Sequence, residues 1–204
     1  MTAHPQAKIL LVGGSPRPNG NTDALLQSAA QGAEARGVPC TIVHLRDYQF
    51  SPCVGCEKCR KDKACTKLMD GMQLLYPLIE ECRGIILASP THHYNITAWM
   101  KAFIDRLYCY YDFTNDRPRG WSSRLAGQGR CAAVMAVCEQ EDIRDMGFTL
   151  EAMEMPLQAL LGCGMTARVS ALLHFSKGAV KKDQQAMDAA FEAGKAVARQ
   201  AASG

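Results

Sequence analysis

Four cysteines, Cys53, Cys56, Cys59 and Cys65, stand within the thirteen-residue stretch CVGCEKCRKDKAC. Their thiolates suit soft metals, and the two consecutive gaps of two residues let three of them converge on one centre. The following gap of five lets the chain return with the fourth, a spacing compatible with an iron–sulfur cluster. The same four sulfurs would satisfy a tetrahedral zinc ion, although zinc sites usually pair two Cys-x2-Cys knuckles across a longer stretch. A third chemistry needs no metal, only free thiols that close reversible disulfides. Gly55 relaxes the backbone between the first two sulfurs. Lys58, Arg60, Lys61 and Lys63 are placed to offset thiolate charge and favour deprotonation. The other six cysteines, Cys40, Cys82, Cys109, Cys131, Cys138 and Cys163, are scattered singly and read mostly as small apolar core residues.

A second chemical signal is GGSPRPNGNT, Gly13 to Thr22, which follows an aliphatic run and precedes an amphipathic one. A strand-to-helix junction of that kind presents backbone N–H groups and the positive end of a helix dipole to an anion. Ser15, Asn21 and Thr22 bring hydrogen-bond donors and Arg17 brings charge. The loop has neither the GK[ST] of a nucleotide P-loop nor the GxGxxG of a dinucleotide site, so it fits a monophosphate. No second dinucleotide motif occurs.

The elements that must position these groups alternate. Strands are expected at Lys8–Gly14, Cys40–Leu45, Gly84–Pro90, Arg130–Cys138 and Met165–Leu173, from continuous aliphatic runs. Helices are expected at Asn21 to about Gly37, Met69–Gly84 (with Pro77 inside), Ile96–Leu107, Leu150–Gly164 and Asp183–Ala201. Five strands alternating with helices predict an α/β fold, a flavodoxin-like doubly wound parallel sheet of order 2-1-3-4-5 with helices on both faces. The whole chain, 1–204, reads as one domain with a Cys-rich insertion at about 47–68. Tyr108 to Gly129 is the least regular segment and reads as a surface excursion near the sheet's carboxyl edge. The cysteine loop, following the second strand, is expected at that edge too.

With 48% hydrophobic and 21% charged residues in 204, the chain has the composition of a soluble globular protein. A net charge of +3, with Lys and Arg dispersed, gives no reason to expect nucleic acid. No apolar run approaches the roughly 20 residues that span a bilayer, and the N-terminus lacks the pattern of a signal peptide. A cytoplasmic location without membrane contact is expected, and in a reducing compartment the ten cysteines are not a disulfide framework.

The stretch SPTHHYNITAWMKAFIDR, Ser89 to Arg106, taken with the Ser15-x-Arg17…Asn21-Thr22 loop, resembles the NADPH-dependent FMN reductase family of flavodoxin-like proteins. The resemblance extends over most of residues 8 to 170. It implies FMN, with its phosphate at Ser15, Arg17, Asn21 and Thr22 and its isoalloxazine over Pro90, Thr91, His92, Tyr94, Asn95 and Ile96. His92 stands where the family usually has Tyr, and His93 follows it; such histidines tune the flavin's potential, serve as a proton donor, or simply make backbone hydrogen bonds. In MKAFIDR, Met100, Phe103 and Ile104 form an apolar helical face, and Asp105 and Arg106 fix the helix end or a subunit contact. The segment CEQEDI, Cys138 to Ile143, is a third place where flavin could be touched.

The iron–sulfur flavoprotein branch of that family carries a compact cysteine motif after the second strand. This implies a [4Fe–4S] cluster on Cys53, Cys56, Cys59 and Cys65, with zinc and metal-free thiols as the alternatives. The family also implies a homodimer or homotetramer, in which Tyr108, Tyr110, Tyr111 and Trp121 could cover a neighbouring flavin. The expected function is an FMN-dependent oxidoreductase taking electrons from NAD(P)H or a ferredoxin-like donor. The alternatives are a non-enzymatic flavin and iron–sulfur electron carrier, and a zinc-stabilised adaptor without redox chemistry.

Overall fold

The computed structural model describes residues 8–203. In chain order its elements are β1 (Ile9–Gly13), α1 (Asn21–Glu34), β2 (Cys40–His44), α2 (Cys59–Asp62), α3 (Met72–Glu81), β3 (Gly84–Pro90) and α4 (Ala98–Arg106). There follow β4 (Tyr111–Phe113), β5 (Trp121–Ser123), β6 (Cys131–Val137), α5 (Thr149–Leu161), β7 (Gly164–Ala171) and α6 (Gln184–Ser203). The N-terminal reading made from residues 1–7 lies outside the described residues.

β1, β2, β3, β6 and β7 form one parallel sheet in the order β2-β1-β3-β6-β7, while β4 and β5 pair only with each other. Counted by its own strands, the sheet has the expected order 2-1-3-4-5. The chain reverses direction of winding between β1 and β3, whose ends are in register with Gly13 beside Ala88. Both following loops therefore leave the carboxyl edge side by side, the place where open α/β sheets hold ligands.

Two apolar layers sandwich the sheet. Leu10, Val12, Ile85, Leu87 and Val134 pack against α3, α4 and α5, with Phe103 and Met100 fully buried between them. On the other face Ile9, Leu11 and Ile86 pack against the alanine-rich sides of α1 and α6. These helices approach closely because Gly32 and Gly194 face each other's backbone; a Cβ at either would overlap the carbonyl of Phe191 or Ala29. Alternate strand residues serve opposite faces, which is why each strand reads as a continuous aliphatic run.

The structure differs from the sequence expectation at α3 and in the segment after α4. α3 starts at Met72 rather than Met69, because the Asp70 carboxylate accepts from both Ser51 N (3.0 Å) and Met72 N (3.1 Å) and so fixes the entry. The expected loop Tyr108–Gly129 contains the hairpin β4–β5, held by Tyr111 against Trp121 edge to face, their ring centroids 4.9 Å apart. That hairpin is also on the other side of the sheet from where it was expected. It leaves the far end of α4 and returns at Cys131, which pairs with Gly84, the first residue of β3; this is the amino edge.

Candidate functional site

The junction of β1 and α1 is built to leave donors free. Pro16 and Pro18 carry no N–H, Arg17 N donates to Ser15 Oγ (3.2 Å) and Asn19 N to Asp23 Oδ2 (2.7 Å). The first intrahelical bond is Ala24 N to Gly20 O, at 3.1 Å. Among the described residues, the N–H groups of Ser15, Gly20, Asn21, Thr22 and Asp23 have no protein acceptor. They sit at the positive end of α1, which is the arrangement that binds a phosphate. The one carboxylate in the first turn, Asp23, is neutralised by a two-pronged contact from Arg46 (3.0 and 2.8 Å), so it does not repel an anion.

Asn21 has a different task from the one expected. Its side-chain amide donates to His174 O and Ser176 O, both at 3.1 Å, and its oxygen accepts from Val180 N at 3.1 Å. Both of its amide hydrogens are spent on holding the β7–α6 loop against the phosphate loop, so its backbone N–H is the donor that remains for an anion. Arg17 is exposed at the rim, its guanidinium 5.1 Å above the Phe175 ring and donating to Phe175 O at 3.2 Å.

The loop after β3 folds into a tight turn. His92 N donates to Asn95 O (2.8 Å) and Asn95 N to His92 O (3.1 Å), with His93 and Tyr94 between them at φ 47° and 63°. Two successive left-handed residues that are not glycine cost about 1–3 kcal/mol each and persist only where the surroundings impose them. Here Phe148 N donates to Tyr94 O at 2.8 Å, and Gly147 lies so close that a Cβ would overlap that carbonyl. Thr91 N, Ile96 N and Thr97 N are bonded to Val137 O (2.7 Å), Asn95 Oδ1 (2.8 Å) and Ser89 Oγ (3.1 Å). The His93 and Tyr94 N–H groups alone in this turn lack an acceptor among the described residues.

Thr97 ties the two loops together. Its hydroxyl accepts from Met100 N at 3.2 Å, capping α4, and donates to Gly14 O at 2.7 Å across the switch point. Thr97→Val removes both bonds from a site only 2% exposed and is expected to cost about 1–2 kcal/mol. Thermal unfolding checks this, with a fall of about 2–4 °C per kcal/mol expected for a chain of this size.

One cleft joins these parts. Ser15, Arg17, Asn21, Thr22, Pro90, Thr91 and His92 line it, and Val137 and Glu139 join from the end of β6. Tyr94, Asn95 and Ile96 are not on its wall; Ile96 is 6% exposed and belongs to the core. His174, Phe175 and Lys177 also line the cleft and were missed. Their signal was position: a His, an aromatic and a Lys just past the carboxyl end of the last strand.

Burial, then the nearby charges of Arg17 and His93, hold the His92 imidazole below its ordinary pKa. It is therefore neutral at pH 7. Because the folded pKa lies below the unfolded one, His92 favours folding above the ordinary value of about 6.5, and that contribution is lost as pH falls. Arg17→Ala is expected to move the His92 titration upward, read by NMR of the imidazole against pH.

The cysteine loop lies elsewhere. Cys53, Cys56, Cys59 and Cys65 line one small, largely apolar pocket together with Leu68, Arg106, Tyr108 and Cys109. Left-handed residues at Gly55, Glu57 and Lys63 turn the chain between the sulfurs, and the single turn of α2 starts at Cys59. Arg106 closes α4, whose nine residues span ~14 Å. The cysteine pocket thus sits at the opposite end of α4 from the cleft, and the expectation that both lie at the carboxyl edge is not met. The chain after β2 runs along α4 before the cysteines begin, a path that no local pattern announces.

Two of the four flanking cations are engaged away from the sulfurs. Lys63 pairs with Asp112, and Arg60 pairs with Glu57 and stacks on Phe113. Burial, followed by repulsion from Cys65, Cys53 and Cys56, pushes the Cys59 thiol up rather than down. Cys109 is pushed to about 12, mainly by burial, so it stays a thiol. Among the described residues no three Cys, His, Asp or Glu side chains converge on a point where a metal ion could sit. Four thiols on one pocket wall are a soft donor set that fits an iron–sulfur cluster and would equally serve zinc.

Comparison with known proteins adds to this geometry. The sequence profile described as NADPH-dependent FMN reductase matches residues 7–164. An iron–sulfur flavoprotein of Methanocaldococcus jannaschii is 32% identical over 99 residues, which are 48% of this chain and 51% of that protein. One of Archaeoglobus fulgidus is 39% identical over 97 residues, 48% of this chain and 44% of that protein. The chain spans about half the length of these curated relatives. In fold it is similar to a flavone reductase, with TM-score 0.71 and 15% identity over 96% of this chain and 63% of the other. It is also similar to an archaeal flavodoxin, with TM-score 0.56 and 14% identity over 96% of this chain and 99% of the other.

Proposed function

The chain belongs to the NADPH-dependent FMN reductase family, and from that premise we propose that it is an FMN-dependent oxidoreductase. It takes electrons from NAD(P)H or a reduced ferredoxin-like carrier and passes them to an acceptor through a [4Fe–4S] cluster. The observation that carries this reading is the meeting of the phosphate loop and the strained β3–α4 turn in one cleft at the switch point. FMN, when bound, supplies acceptance of an electron pair and release of single electrons.

The remaining work falls to the chain's own groups. The free N–H groups at the start of α1 hold the phosphate, with Ser15, Thr22 and Arg17. Thr91 and His92, on the cleft wall, lie beside the polar edge of the ring. Neutral His92 can accept a proton there, which a charged imidazole could not. Cys53, Cys56, Cys59 and Cys65 hold the cluster. The chain acts as one flavodoxin-like unit with its Cys-rich insertion at about 47–68, assembled as a homodimer or homotetramer. Trp121, 54% exposed on the β4–β5 hairpin, is available to cover a second copy. Among the described residues no helix is long and apolar enough to cross a membrane, and we place the protein in the cytoplasm.

The donor is tested by anaerobic mixing of the FMN-loaded chain with NADPH, or with a reduced ferredoxin-like protein, while flavin absorbance is followed. Rapid bleaching by NADPH supports the nicotinamide donor, and bleaching only by the protein donor supports the carrier. A flavin bleached by neither contradicts the reading.

A further inference from the structure

The segment bearing the four cysteines leaves the core near Ser51 and returns at Leu68 and Asp70, and one side chain holds both ends. Arg106 is 1% exposed at its side chain. Its Nη1 donates to Ser51 O (2.8 Å) and Asp70 Oδ2 (2.8 Å), and its Nη2 to Leu68 O (3.3 Å) and Asp70 Oδ1 (3.1 Å). A guanidinium has five N–H donors, and these four bonds use all but the one on Nε. That Nε is buried and has no partner among the described residues. The same side chain lines the pocket ringed by the cysteines.

A buried, charged donor left unpaired beside four thiols is costly unless something in the pocket accepts from it. We propose that Arg106 is a positioning residue for the cysteine site, and that its Nε–H donates to sulfur of the group held there. This rests on the cluster reading above. Reduction adds one electron to the cluster, so a buried positive charge and an N–H bond to sulfur stabilise the reduced form and raise the midpoint potential. Asp70 offsets part of that charge and sets how far the potential rises. A residue that only closed the loop would affect loading and stability but not the potential.

The test is anaerobic reconstitution of the full chain with ferrous iron and inorganic sulfide, followed by a redox titration read by EPR. Arg106→Lys keeps the charge but cannot bond both loop ends and still reach the pocket. It is expected to lower the midpoint by at least a tenfold change in the equilibrium, 59 mV for one electron. Asp70→Asn, with Arg106 intact, is expected to shift it the other way. Should folded Arg106→Lys not load, a positive shift in Asp70→Asn carries the proposal. Loaded variants with unchanged midpoints overturn it. Wild-type chain that takes up no iron overturns the cluster reading and this inference with it, and wild-type iron content alone tells that outcome from the other.

Discussion

Cys59→Ser is expected to abolish uptake of iron and sulfide by the reconstituted chain. Cys59 opens the single turn of α2, lines the pocket and interacts electrostatically with Cys65, Cys53 and Cys56. Serine offers oxygen where a soft iron site needs sulfur. Cys109→Ala is the matched control. Cys109 lines the same pocket but stands outside the four-cysteine stretch, buried just past the end of α4, and is not among the expected ligands. Iron and sulfide analysis of both variants should give background for Cys59→Ser and the wild-type content for Cys109→Ala. Equal content in wild type and Cys59→Ser would remove the cysteine site from the account.

The second large effect is expected at Arg17, where alanine should weaken FMN binding by about 10–100-fold. A hydrogen bond to a charged group is worth about 1.5–3 kcal/mol, and about 1.4 kcal/mol is tenfold in affinity. Arg17 is already held at the rim by Phe175, at 5.1 Å from ring centroid and 3.2 Å from its carbonyl, so little side-chain freedom is lost on binding. Lys177 on the same wall keeps the loss from being complete. Isothermal titration should show the loss shrinking as salt is raised, since the exposed guanidinium is screened. An unchanged affinity would mean that the helix terminus carries the phosphate without Arg17.

Legibility differed sharply between the two sites. β3 was readable residue for residue, Gly84 to Pro90, because a strand buried on both faces is an unbroken aliphatic run ended by proline. The phosphate loop was readable because its geometry is local, a strand, a proline-rich turn and a helix start in one stretch of chain. Asn21 shows the limit of that reading. Its type suits a phosphate, but its partners come from 153 and more residues away, on a loop with no motif.

Gly147 was silent for the same reason, since its role is to let the Tyr94 carbonyl approach from another loop. The cysteine spacing was plain, but the location of the pocket was not. It depends on Arg106 at the far end of α4 reaching Ser51 and Asp70, a long-range pairing with no periodicity to betray it. The hairpin β4–β5 was hidden by its three-residue strands, which are shorter than any pattern of alternation can reveal.

The central claim is that the cleft at the switch point holds FMN by its phosphate at the start of α1. Parallel titrations of the full chain with FMN and with riboflavin, read by quenching of flavin fluorescence, test it most directly. The account predicts saturable binding of one FMN per chain and at least tenfold weaker binding of riboflavin, which lacks the phosphate. Equal affinity for the two, or no saturable binding of FMN, would contradict it.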